Sequence, residues 1–336
     1  MSASKVHVAL LGTGFMGRTH AQALVSLPYA EVALVVGRSV DRTRALAEQV
    51  GARWTTDPAS ALSDDGIDAV DITYPTFLHK PYTIEALRAG KHVLVEKPIA
   101  VSVADGLDMA KAAVESGHIL MVAHVLEFWP EYAYVRDRIR QGSWGRPLAL
   151  EATRLSTPPG WSVWLKDPKL SGGVIVDLSV HDFAYANTLL GTPRSVRTIG
   201  VSRPAPRYDQ HTSLVEYDGA SATITGSELM PDSFPFSSGF RLLLEDAVVE
   251  YVFRANAAGV ESGQATNTLS VWPNGGQPQV LEIPQQDPFK AEIADFIRAV
   301  ETGIPSALNS PMAGIEALRL AVAADESMRT GNVVSL

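Results

Sequence analysis

Two short strings hold residues able to manage a proton and a developing charge. Lys97 follows His92 to Glu96, an apolar run that reads as a strand. An ammonium beside a reacting alcohol favours the alkoxide that forms as its proton leaves. Asp177 and His181 lie four residues apart, so on a helix they share one face. A histidine titrates near neutrality and can take a hydroxyl proton as hydride departs, and an aspartate beside it can orient the ring or bind substrate. The same pair also reads as a helix-surface ion pair or as half of a metal site.

Hydride needs an acceptor, and the N-terminal stretch offers a place for one. Val6 to Leu11 is a buried apolar run that opens onto Gly12-Thr13-Gly14-Phe15-Met16-Gly17, a G-x-G-x-x-G loop. Arg18 to Leu27 then has helical spacing, Pro28 stops it, and Val32 to Val36 is a second buried run. Strand, glycine loop, helix and strand in that order form the context of a dinucleotide-binding fingerprint. Gly12 permits the tight turn, Gly14 admits a pyrophosphate to the backbone, and Gly17 lets helix and strand pack closely. The first helical N–H groups, left without intrahelical partners, face the phosphates, and Phe15 and Met16 of the loop count among the cofactor-binding residues.

The second strand ends in Gly37-Arg38-Ser39, where an acidic residue would select NAD by holding the ribose hydroxyls. Arg38 can instead pair with a 2′-phosphate, a charge-assisted bond of about 1.5–3 kcal/mol. Ser39 and Arg42 can add phosphate contacts, while Asp41 reads as a cap of the next helix. NADP(H) is therefore favoured and NAD(H) remains open, since Arg38 can also stack on adenine without discriminating.

The rest of the chain is organised to carry these strings. Asp41 to Val50, Pro58 to Leu62, Leu78 to Ala89 and Val103 to Ser116 read as helices. Asp68 to Thr73, His92 to Glu96 and Ile119 to Ala123 read as strands. Such alternation implies a doubly wound parallel sheet, a Rossmann α/β domain over residues 1–125, with its ligand crevice at the carboxyl ends of the strands. Beyond it, helices at Pro130 to Gln141 and near Ser179 to Leu190 lead into period-two runs. Ala220 to Gly226 is one, Phe240 to Phe253 reads as a hairpin turning at Glu245-Asp246, and two strands flank Pro273 to Gly276. Residues 126–336 thus read as an α+β domain with an open, mostly antiparallel sheet, closed by helices at Pro288 to Thr302 and Pro311 to Arg329.

Composition narrows the function classes. With 336 residues, two domains with ample cores are expected. A net charge of −9 without a Lys/Arg block disfavours nucleic acid and anionic membranes as partners. No apolar run approaches the ~20 residues that span a bilayer, and Met1 to Lys5 has no signal-peptide pattern. The absence of cysteine excludes disulfide and thiolate chemistry and is compatible with a cytoplasmic home.

Two longer strings, Ala89-Gly90-Lys91-His92-Val93-Leu94-Val95-Glu96-Lys97-Pro98 and Ser171-Gly172-Gly173 through Asp177 to His181, together with the glycine loop, resemble the glucose–fructose oxidoreductase / inositol dehydrogenase (Gfo/Idh/MocA) family over nearly the whole chain. The resemblance implies an NAD(P)-dependent dehydrogenase or reductase acting on a secondary hydroxyl of a sugar, inositol or related polyol. It gives His181 the role of general acid/base with Asp177 as its partner, and Lys97 contacts to both nicotinamide ribose and substrate hydroxyls. Glu96, Pro75 and His79 then border the cofactor, although His79 could equally cap its own helix. Arg154, Trp164 and Asp167-Pro168 match a segment that frames the substrate, and Trp161 and Trp164 suit the apolar face of a sugar ring. His124 occupies a position where some members carry histidine. Glu127 stands where arginine is common, and Val174 and Ser179 replace usual glycines, which leaves the substrate open. His211 reads as structural. A cis bond before Pro98 and a homodimer or homotetramer paired through the open sheet are further implications. The competing readings are a non-catalytic NADP sensor and a lyase or glycosidase that recycles a bound cofactor. No metal is called for.

Overall fold

The structure is a computed structural model that describes residues 5–159, 162–202, 209–255 and 265–336. The chain divides into two compact units, the first formed by Met1–Phe128 and Gln286–Ile315, the second by Trp129–Gln285 and Glu316–Leu336. A single cut after residue 125 does not provide for the return of 286–315 to the first unit.

Up to Phe128, the first unit runs β1 (Val6–Leu11), α1 (Phe15–Val25), β2 (Ala30–Val36), α2 (Val40–Val50), β3 (Arg53–Thr55), α3 (Ala59–Leu62), β4 (Ala69–Ile72), α4 (His79–Arg88), β5 (His92–Glu96), α5 (Val103–Ser116) and β6 (Leu120–Ala123). Its six strands are all parallel in the order β3-β2-β1-β4-β5-β6. Strand order reverses between β1 and β4, so the ligand crevice of such a sheet opens beside their carboxyl ends. β4 and β6 are buried along their whole length, as expected of a parallel sheet covered on both faces. Helix ends follow local chemistry: Ser102 Oγ accepts from Asp105 N–H at the start of α5, and Gly117 closes it in the left-handed conformation. At α2 the expectation for Asp41 is corrected. Ser39 occupies the N-cap position, and Asp41 sits exposed in the first turn.

The second unit contains α6 (Pro130–Arg140), β7 (Pro147–Leu155), α7 (Pro168–Ser171), α8 (Gly173–Asp177), α9 (Val180–Leu190), β8 (Ser195–Ser202), β9 (Asp209–Tyr217), β10 (Ala220–Ser227), β11 (Phe236–Leu244), β12 (Ala247–Ala255), β13 (Ala265–Pro273) and β14 (Gln279–Leu281). With β15 (Val334–Ser335) they form a nine-stranded sheet, β14-β13-β12-β11-β7-β10-β9-β8-β15. Every pairing is antiparallel except β7 with β10. The anticipated hairpin is present and longer, β11 and β12 turning at Glu245-Asp246. Ala222, Ile224 and Gly226 are buried on one face of β10 while Thr223 and Thr225 are half-buried on the other. Tyr132 of α6 and Tyr185 of α9 pack edge-on at 4.6 Å, and Tyr132 meets Phe240 and Tyr251 of the sheet at 5.1 and 5.3 Å. These rings make the aromatic core of this unit.

Two helices, α10 (Pro288–Thr302) and α11 (Pro311–Thr330), precede the short final strand β15. Asp287 caps α10 by accepting from the N–H groups of Phe289 and Lys290, with Pro288 in the first turn. Ile293, Phe296 and Ile297 of α10 are buried in the same core as Val8 and Leu10 of β1 and Ala21 and Leu24 of α1.

Candidate active site

The glycine loop is built by close approach. Gly12 has φ 135° and donates its N–H to the Val36 carbonyl at 2.9 Å. A Cβ on Gly17 would lie 2.2 Å from the Gly12 carbonyl oxygen, so only glycine lets α1 sit this tightly on the turn. Gly14 differs: a Cβ there would meet nothing within 4 Å, leaving open space in front of the loop. Gly14 is the N-cap of α1, whose first turn carries no acidic residue, and Phe15 is about half exposed at 48%. Met16 is half-buried beside it, and Arg38 is exposed beyond the end of β2 with Ser39 and Arg42 in the next turn. Open space, free helical N–H groups and no repelling carboxylate fit a dinucleotide's diphosphate.

At the end of β5 a buried charge network supports the next loop. His20, fully buried on α1, has Nδ1 2.9 Å from Asp71 Oδ2 of β4 and Nε2 3.2 Å from Glu96 Oε1. Burial lowers the affinity of His20 for a proton, but Asp71 and Glu96 outweigh it and hold the imidazole well above its ordinary pKa. Burial likewise raises the Glu96 carboxyl, yet its bond to His20 and the charges of His20 and Lys97 keep it below the usual carboxylate range. Glu96 Oε2 then accepts from the Lys97 backbone N–H at 2.9 Å. Lys97 is half-buried, and the Lys97–Pro98 bond is cis.

His79 is a brace. It is buried, and its ring nitrogens lie 2.9 Å from the carbonyl oxygens of Tyr74 and Pro98, so the ring ties the loop after β4 to the loop after β5. Pro75, half-buried, begins the turn that leads into α4. His124, after β6, is 3% exposed with no hydrogen bond at either ring nitrogen. Burial, reinforced by the Lys97 charge, pushes its pKa down to about 4, so it stays neutral at pH 7.

In the second unit the helix anticipated near Ser179 to Leu190 is present and carries His181, while Asp177 belongs to a separate short helix before it. Asp177 ends α8, Leu178 and Ser179 form a turn, and His181 lies in the first turn of α9. The break arises because the Ser179 N–H donates to the Val174 carbonyl, five residues back, so the ladder restarts at the Ser179 carbonyl. Both residues remain half-buried. Arg154, on β7, is buried with its guanidinium held by Asp182 in two bonds of 2.8 and 3.0 Å, which makes it an internal brace. Trp164 is half-buried at the start of a 3-10 turn, and Trp161 lies outside the described residues. Among the described residues no group of three His, Asp or Glu could hold a metal ion, and no helix is long and apolar enough to cross a membrane.

Sequence reasoning passed over His20 and Asp71. The signals were present: His20 falls on the buried stripe of α1 with Gly17, Ala21 and Leu24, and Asp71 interrupts the apolar run of β4. A charged group at such a position must have a partner.

Comparison with known proteins points one way. Residues 6–124 match the family model described as an oxidoreductase family with an NAD-binding Rossmann fold, and residues 132–246 match the GFO/IDH/MocA C-terminal domain. The chain is 34% identical over 239 residues to the scyllo-inositol 2-dehydrogenase (NAD+) of Bacillus subtilis, covering 68% of each chain. Its fold is similar to that of a levoglucosan dehydrogenase solved with NADH and levoglucosan (TM-score 0.85, 20% identity, 99% of each chain). It is similar also to a 3-ketoreductase from Actinomadura kijaniata solved with NADP and TDP-benzene (TM-score 0.81, 21% identity, 98% of each chain).

Proposed function

The chain belongs to the Gfo/Idh/MocA oxidoreductase family, and from that premise we propose that it moves hydride between NADP(H), in preference to NAD(H), and a secondary hydroxyl or keto carbon of a sugar, inositol or related polyol. What most supports the reading is the crest of the first sheet. There the open loop at Gly14 and the Lys97 loop, held by the buried Glu96 carboxylate, both follow carboxyl ends of strands.

NADP, when bound, supplies the two-electron acceptor. Gly12, Gly14 and Gly17 shape the diphosphate cradle, the first-turn N–H groups of α1 bind it, and Arg38 with Ser39 and Arg42 engages the 2′-phosphate. The Lys97 ammonium stabilises negative charge as it develops on the substrate oxygen. His181 takes the hydroxyl proton when the carbon is oxidised and returns it on reduction, with Asp177 orienting the ring. His124, neutral and without an internal partner, offers one donor and one acceptor for orienting a polar ligand near Lys97. The outer face of the second unit's sheet exposes Leu214, Leu243 and Val252 and pairs with a second copy of the chain.

The test is a panel of scyllo-inositol, levoglucosan and D-xylose run with NADP and NAD in parallel, following nicotinamide absorbance. Arg38→Ala is expected to weaken NADP binding about ten- to a hundredfold while leaving NAD binding near wild type. His181→Asn is expected to lower turnover about a hundredfold or more. Unchanged turnover in His181→Asn removes its role, and tight NADP binding without turnover across a wider polyol panel favours a sensor.

A further inference from the structure

Ser179 stands in the turn between α8 and α9, two residues after Asp177 and two before His181. It holds the N-cap position of α9, where a serine hydroxyl ordinarily accepts from an N–H of the first turn. Here the hydroxyl makes no such bond. Its Oγ lies 2.8 Å from His211 Nε2 on β9 instead. His211 Nδ1 is 3.1 Å from Ser213 Oγ, which is 2.8 Å from Thr198 Oγ1 on β8. The Thr198 N–H donates to Ser327 Oγ of α11 at 2.9 Å, and the Ser327 hydroxyl donates to the Asn332 carbonyl.

All these side chains are buried: Ser179, His211, Ser213 and Ser327 at 0% exposure and Thr198 at 2%. Gly226 of β10 leaves room for the link, since a Cβ there would lie 2.1 Å from Ser179 Oγ and 2.6 Å from His211 Nε2. Burial pushes the His211 pKa down to about 4, so the ring is neutral at pH 7 with one N–H. Either tautomer completes the chain, because each neighbouring hydroxyl can both donate and accept.

We propose that Ser179 and His211 are positioning residues: their buried hydrogen bond ties the α8–α9 turn to the sheet and thereby sets the placement of Asp177 and His181. The inference rests on the functional reading above for what that placement achieves. The tie itself belongs to the second unit alone.

Side-chain reach supplies the test. Glutamine at 211 places its amide near the Nε2 position and can keep the bond to Ser179, whereas asparagine reaches only the Nδ1 position and Ser213. Ser179→Ala and His211→Asn are expected to lower kcat by about ten- to a hundredfold, with KM and the dinucleotide Kd within about twofold of wild type. His211→Gln should recover most of that loss. Independently of any substrate, the His181 ring resonance at pH 7, assigned by its absence in His181→Asn, should move in Ser179→Ala and His211→Asn and return in His211→Gln.

Equal behaviour of the Asn and Gln variants overturns the proposal. So does a lowered unfolding midpoint with kcat and the ring resonance unchanged, because the tie would then serve stability alone. If His181→Asn turns over like wild type, the functional reading fails, and the ring resonance alone decides whether the tie holds the turn.

Discussion

Glu292 shows how a buried carboxyl is accommodated in the first unit. It lies on α10 at 0% exposure, and its Oε1 accepts from Asn309 Nδ2 at 3.1 Å. Burial pushes its pKa from 4.5 up to about 8, partly offset by His20 and reinforced by the charges of Glu96 and Asp71. His20 already serves two carboxylates, so a third negative charge in the same core has no cation left to it. The consequence for stability has a definite sign. Between pH 4.5 and about 8 the folded state keeps a proton that the unfolded chain releases, so stability falls as pH rises through that window and levels off above it. Glu292→Gln keeps the bond from Asn309 and has no charge to suppress. It should therefore be more stable than wild type by up to about 3 kcal/mol at pH 7. Urea unfolding at pH 5, 7 and 8.5 checks this: the advantage should be small at pH 5 and grow toward 8.5. A constant advantage would mean that Glu292 is ionised in the fold throughout.

Among the elements, legibility tracked how strongly local chemistry announced each one. β1, the glycine loop, α1 and β2 were readable because a buried run, three spaced glycines and an amphipathic stretch all require the same turn. α5 and α10 were readable to the residue because Ser102 and Asp287 cap their starts and Gly117 and Gly303 end them. β3 was not, since three residues, two of them exposed, carry no period. Nor could spacing reveal the restart at Ser179, because αR backbone continues through Leu178 and Ser179 and only a shifted hydrogen bond separates α8 from α9. The candidate residues divide similarly: Lys97 and His181 stood in recognisable strings, whereas the His20–Asp71–Glu96 network needs three elements to meet. The best-announced element also makes the sharpest prediction. In Gly17→Ala the added carbon would press on the Gly12 carbonyl, which is backbone and not the far end of a flexible side chain. α1 must lift from the turn, and dinucleotide affinity is expected to fall at least about tenfold with a destabilisation of about 1–3 kcal/mol. Calorimetric titration with NADP and thermal unfolding measure the two effects, and wild-type affinity would show that the loop tolerates a wider spacing.

At the scale of the whole molecule, chain order and spatial order part company. The first unit takes its strands from the first 128 residues but recovers Gln286–Ile315 from far along the chain. A linear reading places α10 with the second half because nothing in its sequence names a partner, only an apolar stripe that needs one. The stripe is energetically consequential. Ile293, Phe296 and Ile297 are at most 1% exposed within the core built on β1 and α1. At about 1.5–3 kcal/mol for each buried side chain, their removal forfeits about 5–9 kcal/mol, against a typical total domain stability of about 5–15 kcal/mol. A fragment of residues 1–128 should therefore expose that core face, bind hydrophobic dye and melt without a cooperative transition, although it retains the whole glycine loop. Adding a peptide of residues 286–315 in trans should restore a sigmoidal melt and NADP binding together. A fragment that folds and binds NADP alone would show that α10 covers a core already stable without it.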